Sequence, residues 1–134
     1  ENNYGKSIGE MFGEFGESKF REIESEFINS LSSNGDFVLA TGGGMPCFST
    51  NMELLNKIGT TFYLNRSAKE LTSRLVNAKV KRPLLEGLTE NELLEFVEDK
   101  LDVRDEYYSR ATIILDREEQ TVKNIIDLAT HLHQ

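Results

Sequence analysis

The chain has 134 residues, enough for one compact domain that buries roughly 68% of its unfolded surface. Lys and Arg total 15 against 23 Asp and Glu, a net charge of −8, which argues against binding a nucleic-acid backbone, and no apolar run approaches the ~20 residues of a membrane helix. The one cysteine, Cys47, excludes an intrachain disulfide and a cysteine zinc cluster, and points to a reducing, cytoplasmic compartment.

Along the chain, Ser7-Ile8-Gly9-Glu10 has the spacing of a capping box and predicts a short helix toward Phe15. A second helix is predicted from about Glu17 to Leu31, with Phe20, Ile23, Phe27 and Leu31 on one face. Asn34-Gly35-Asp36 reads as a turn. The unalternated apolar run Phe37-Val38-Leu39-Ala40 predicts a buried parallel strand, and Thr41-Gly42-Gly43-Gly44 follows it. Asn51 to Lys57 reads as a helix ended by Gly59, and Thr60 to Leu64 as a second strand. Ser67 and Glu70 mark another capping box, opening a helix through Leu71 and Leu75. Residues 78–88 contain Pro83 and Gly87 and read as a loop. Thr89 caps a long helix to about Tyr108; Thr112 to Leu115 is a third strand, and Val122 to Leu132 a final amphipathic helix. Alternating strands and helices predict an α/β domain over 1–134 with a parallel sheet, whose ligands bind at the carboxyl ends of the strands.

Several features could carry chemistry. The triple glycine lets a ligand approach the backbone closely and can present N–H groups to an oxygen. Arg21 and Glu24 stand at i and i+3; spacing alone reads as a surface ion pair, and the functional alternative is a guanidinium aimed at an anion. Arg104 falls on the helical stripe Leu93, Val97, Leu101 and Tyr108, so its charge needs an ionic partner, a carboxylate ligand or a wet cavity. Arg66, Lys69, Arg74, Lys79, Lys81 and Arg82 cluster in an otherwise acidic chain; this is a solvated helix face or an attractor of small anions. Gly5-Lys6-Ser7 imitates the end of a phosphate-binding loop, but the glycine and strand such a loop requires do not precede it, and Ser7 reads better as a cap. His131 and His133 read as surface residues, and Cys47 as a small buried hydrophobe.

These pieces in this order resemble the shikimate kinase family. The residues that carry the resemblance are Gly5 to Phe12, the run Gly16-Glu17-Ser18-Lys19-Phe20-Arg21-Glu22-Ile23-Glu24, Ala40 to Gly44, Arg82-Pro83-Leu84-Leu85, and Arg104 with Tyr108. The resemblance implies a nucleoside-monophosphate-kinase-like, three-layer P-loop kinase fold with a parallel sheet. It implies transfer of the γ-phosphoryl group of ATP to the 3-hydroxyl of shikimate, on the way to aromatic amino acids. Arg21 and Arg104 would grip the shikimate carboxylate, Glu24 would orient Arg21, and Gly42, Gly43 and Gly44 would face the ring. Phe12 and Phe20 would line its apolar side. Arg82, in a lid loop over 78–88, would be catalytic and close on the transferring phosphoryl and nucleotide, and Arg74 and Arg117 would touch the nucleotide.

In that family a first strand, a Walker loop and a second strand come before the segment matched here. The chain is therefore expected to be the C-terminal portion of such a kinase, with the ATP and Mg2+ sites mainly in the preceding segment and no metal ligand among these residues. A monomer is expected, with no nucleic-acid or membrane partner. A non-catalytic shikimate-binding remnant and another small-molecule P-loop kinase are the competing readings.

Overall fold

Ser7 starts the first helix. Its backbone N–H donates to Glu10 Oε2 at 2.7 Å, and the Glu10 N–H donates back to Ser7 Oγ at 3.2 Å, so the expected capping box closes. The helix, α1 (Ile8–Leu31), is two helical segments broken at Gly16, whose φ of 77° lies in the left-handed region where glycine sits without strain. The structure, a computed structural model, describes residues 5–31, 35–78 and 85–132. Arg82 with most of the expected lid loop, and His133, lie outside the described residues.

The chain divides into two compact units, 1–59 and 60–134. In the first, α1 is followed by a 3-10 turn (Met45–Cys47) and by α2 (Asn51–Ile58), which ends at Gly59 as expected. Ile28, Met45 and Leu55 form the buried core, with Leu39, Leu54 and Ile58 packed against it. The buried face of α1 includes Phe20 and Leu31, as the periodicity predicts, but its centre is Ile28 at 0% exposure, while Phe27 is 39% exposed. The stripe is thus turned by one residue, because Met45 and Leu55 meet α1 on that side.

The strand expected over Phe37 to Ala40 does not form: these residues have no regular secondary structure, and Val38 is fully exposed. Such a run becomes a strand only when neighbours take its N–H and C=O groups, and no described residue pairs with it in a ladder.

In the second unit β1 (Phe62–Leu64) and β2 (Ile113–Leu115) pair in parallel, with Phe62 opposite Ile113, Tyr63 opposite Ile114 and Leu64 opposite Leu115. The ladder continues on both sides: the Ile113 N–H donates to Thr61 O at 3.0 Å and the Asn65 N–H to Leu115 O at 2.9 Å. Between the strands come α3 (Ala68–Val76), capped by Ser67, and α4 (Glu90–Tyr108), opened by a complete Thr89–Glu92 capping box. These helices pack on each other, and Leu93 and Val97 put one face of α4 in the interior. A 3-10 turn (Arg117–Glu119) leads to α5 (Val122–Leu132). Helices and a parallel strand pair are the α/β class expected. No helix of the described residues is long and apolar enough to cross a membrane.

Candidate functional site

In the first unit the second segment of α1 carries Arg21 and Glu24. The Arg21 Nη1 donates to Glu24 Oε1, and the pair is sheltered, with side chains 17% and 13% exposed. It is therefore not the solvated surface pair that spacing alone suggests. The guanidinium also lies over the Phe20 ring, its Cζ 5.5 Å from the centroid. Phe20 is buried, and the half-exposed Phe12 tilts against it at 5.5 Å between centroids. Gly44, the last of the triple glycine, packs against the same guanidinium. A Cβ on Gly44 would stand 2.6 Å from Arg21 Cζ and 2.9 Å from Nη1, whereas one on Gly42 would meet nothing within 4 Å. Arg21, Glu24, Phe20, Phe12 and Gly44 thus lie together in the first unit. Gly42 and Gly43 belong to the same exposed turn, although that turn follows an irregular segment instead of a strand.

Asn51, which sequence reasoning missed, holds this arrangement from below. It is fully buried; its Oδ1 accepts from Ser25 Oγ at 2.7 Å, and its Nδ2 donates to Met45 O at 2.9 Å. It thereby ties the helix carrying Arg21 to the residue after Gly44. Nearby Cys47 is half-buried, not buried, and its thiol donates to Gly43 O at 3.6 Å. Lys6, in the run that imitates a phosphate loop, pairs with Glu14 and lies over Phe15.

In the second unit Arg104 sits half-buried on the interior face of α4, with no ion pair among the described residues. One turn further, Tyr108 stacks obliquely on Tyr63 at 5.1 Å, and Tyr63 Oη donates to Asp105 Oδ1 at 3.5 Å. Burial, reinforced by the Asp105 charge, raises the Tyr63 pKa.

An open pocket of about 410 Å³ lies at the carboxyl ends of β1 and β2, lined by Arg66, Lys69, Glu70, Ser73, Arg74 and Arg117. It brings together Arg74 and Arg117, the two residues for which the resemblance implies nucleotide contact, with Arg66 and Lys69 from the basic segment. Glu70 accepts from Arg66 Nη1 at 2.9 Å, and its Oε2 lies 3.7 Å from Arg117 Nε. The bond from Arg66, with both arginine charges, lowers the Glu70 pKa against the opposing effect of burial. Gln120, also missed from the sequence, accepts from Arg66 Nε at 2.8 Å and donates to Asn65 O and Leu115 O, each at 2.8 Å. The pocket's four cations against one acid suit an anion. Among the described residues no group of three or more His, Cys, Asp or Glu side chains could hold a metal ion.

Comparison with known proteins gives one family throughout. The shikimate kinase family model matches residues 1–132. A shikimate kinase of Bacteroides fragilis is 43% identical over 114 residues, which are 85% of this chain and 64% of that protein. One of Parabacteroides distasonis is 39% identical over 133 residues, 98% of this chain and 77% of that protein. The chain thus spans a little under two thirds of the first relative's length and about three quarters of the second's. A crystal structure of shikimate kinase from Bacteroides thetaiotaomicron superposes with a TM-score of 0.80 at 34% identity, covering 98% of this chain and 76% of that one. Its parallel strand pair and flanking helices accordingly share the architecture of a P-loop kinase of the nucleoside-monophosphate-kinase type. A match over almost every residue, with identities well above the level at which only a fold is shared, means that this chain belongs to the shikimate kinase family.

Proposed function

We propose that the protein phosphorylates the 3-hydroxyl of shikimate with ATP, a step toward aromatic amino acids. The observation that carries this reading is the Arg21 guanidinium, held by Glu24 and Phe20 beneath Gly44. Such a planar cation, already oriented, suits a carboxylate. Glu24 would fix its orientation, Phe12 and Phe20 would cover the apolar side of the ring, and Gly42, Gly43 and Gly44 would let its hydroxyls approach the backbone. Arg104 is assigned to the same carboxylate by the family pattern; its half-burial without an ion-pair partner among the described residues supports that role. Arg74 and Arg117 are assigned to the nucleotide, supported by their shared basic pocket.

In the reaction the 3-hydroxyl oxygen bonds to the γ-phosphorus, the bond to the bridging oxygen of ADP breaks, and the hydroxyl proton is released. Positioning and charge neutralisation do most of the work in such transfers. Arg82 would bring positive charge to the equatorial oxygens from the lid. Magnesium would neutralise the phosphates, with its ligands outside the described residues. The protein would act as a cytoplasmic monomer.

The test is shikimate-dependent release of ADP by the purified native protein, with ATP and magnesium present. Turnover is expected. Shikimate binding without turnover would replace this reading with a non-catalytic shikimate-binding domain, and turnover only with another small alcohol would reassign the substrate.

A further inference from the structure

The basic pocket contains an acid that looks out of place in a site for an anion. Glu70 contributes the pocket's one negative charge among Arg66, Lys69, Arg74 and Arg117. If it acted only through its charge, it would weaken any anionic ligand. Its bonds suggest another task.

Glu70 lies in the first turn of α3, where its backbone N–H is held by Ser67 Oγ at 3.2 Å. Its carboxylate accepts from Arg66 Nη1 at 2.9 Å and lies 3.7 Å from Arg117 Nε. Behind Arg66 stands Gln120, anchored through its amide to the carbonyls of Asn65 and Leu115, where β1 and β2 end. Exposure rises along this chain of contacts: the side chains of Arg66, Glu70 and Arg117 are 16%, 30% and 69% exposed. The inner members are locked to the sheet, and the outermost is a solvated guanidinium held from one side. Arg66 already gives Nε to Gln120 and an Nη1 hydrogen to Glu70, so both of these nitrogens are engaged on the protein side. Arg117 keeps most of its donors for a ligand.

We infer that Glu70 is a positioning residue that holds the Arg117 guanidinium over the nucleotide pocket, with Gln120 and Arg66 bracing Glu70 from the sheet. The inference rests on the proposed assignment of this pocket to the nucleotide. Arg66 and Arg117 repel each other, and the carboxylate between them lets both face one ligand. The lowered Glu70 pKa fits a carboxylate that stays ionised between them.

The test measures the affinity of N-methylanthraniloyl-ATP, read by fluorescence, for the native protein and for its variants E70Q, R117M, R74M, the double variant E70Q/R117M, and Q120L. If Glu70 positions Arg117, E70Q weakens binding about three- to tenfold despite removing a negative charge, and R117M does the same. The double variant is then no weaker than R117M alone, because both changes remove one interaction. Shikimate affinity stays unchanged in each, which a general loss of structure would not allow. Q120L, which frees Arg66 but leaves the carboxylate, gives a smaller loss in the same direction. Tighter or unchanged binding by E70Q overturns the inference, as does a loss in the double variant equal to the two single losses combined. If R117M and R74M both bind as tightly as the parent, or the parent binds no nucleotide, the assignment of the pocket fails and the inference falls with it. A loss in R117M with none in E70Q overturns the inference alone.

Discussion

The Arg21 guanidinium occupies the space that a side chain on Gly44 would need: an ideal Cβ there would lie 2.6 Å from its Cζ. Glu24 and the Phe20 ring hold the guanidinium in place, so a methyl group must push it off its partners. Gly44→Ala should therefore raise the KM for shikimate about tenfold, ~1.4 kcal/mol of lost affinity, with the KM for ATP unchanged. Steady-state kinetics with each substrate varied in turn make the check. An unaltered shikimate KM would show that the guanidinium can move without consequence.

Arg104 faces the interior side of α4 without an ion pair among the described residues. Arg104→Leu should reduce shikimate binding by more than about a hundredfold, ~2.7 kcal/mol or more. The melting temperature should stay equal or rise, because a half-buried charge with no ion-pair partner among the described residues is removed. Calorimetric titration with shikimate and a thermal melt test both halves. Retained affinity would remove Arg104 from the carboxylate site.

Asn51 satisfies both of its amide groups inside the first unit, on Ser25 and Met45. Asn51→Ala leaves the Met45 carbonyl and the Ser25 hydroxyl without these partners and should cost about 2–3 kcal/mol. Urea unfolding measures this. Shikimate affinity should fall as well, since the Gly44–Met45 turn loses its tie to the helix that carries Arg21. A loss below about 0.5 kcal/mol, the range of ordinary surface changes, would mean that water replaces both bonds.

Glu10 closes the first capping box, and the Ser7 N–H, followed by its hydroxyl, lowers its pKa below the ordinary 4.5. A carboxylate with a depressed folded pKa adds stability above its unfolded pKa and loses it as pH falls through the folded one. Glu10→Gln should therefore lower the urea midpoint at pH 7 and leave it nearly equal to the parent's at the most acid pH at which both still fold. Parallel curves of midpoint against pH would show that the charge of Glu10 plays no part.

The helix starts were legible because capping is local chemistry: Ser7, Ser67 and Thr89 each meet a glutamate three residues on. Arg21 and Glu24 were legible as a pair for the same reason, but their shelter was not, because Phe20 packing and the Gly44 turn come from the tertiary fold. The run Phe37 to Ala40 misled, since its apolar composition says nothing of whether neighbouring strands are there to pair with it. Asn51 and Gln120 left no local signal. Their key partners lie 26 residues away at Ser25 and 54 and 55 residues away at Arg66 and Asn65, and a lone amide side chain in the sequence looks like any solvated one.

The break at Gly16 divides the labour of α1. Helical hydrogen bonding is cooperative only along an uninterrupted segment, so the eight residues before the break can fray without unwinding the fifteen after it. Phe12 rides on the short segment, while Arg21, Glu24 and Ile28 ride on the long one. Amide exchange should accordingly report two protection levels within what looks like one rod.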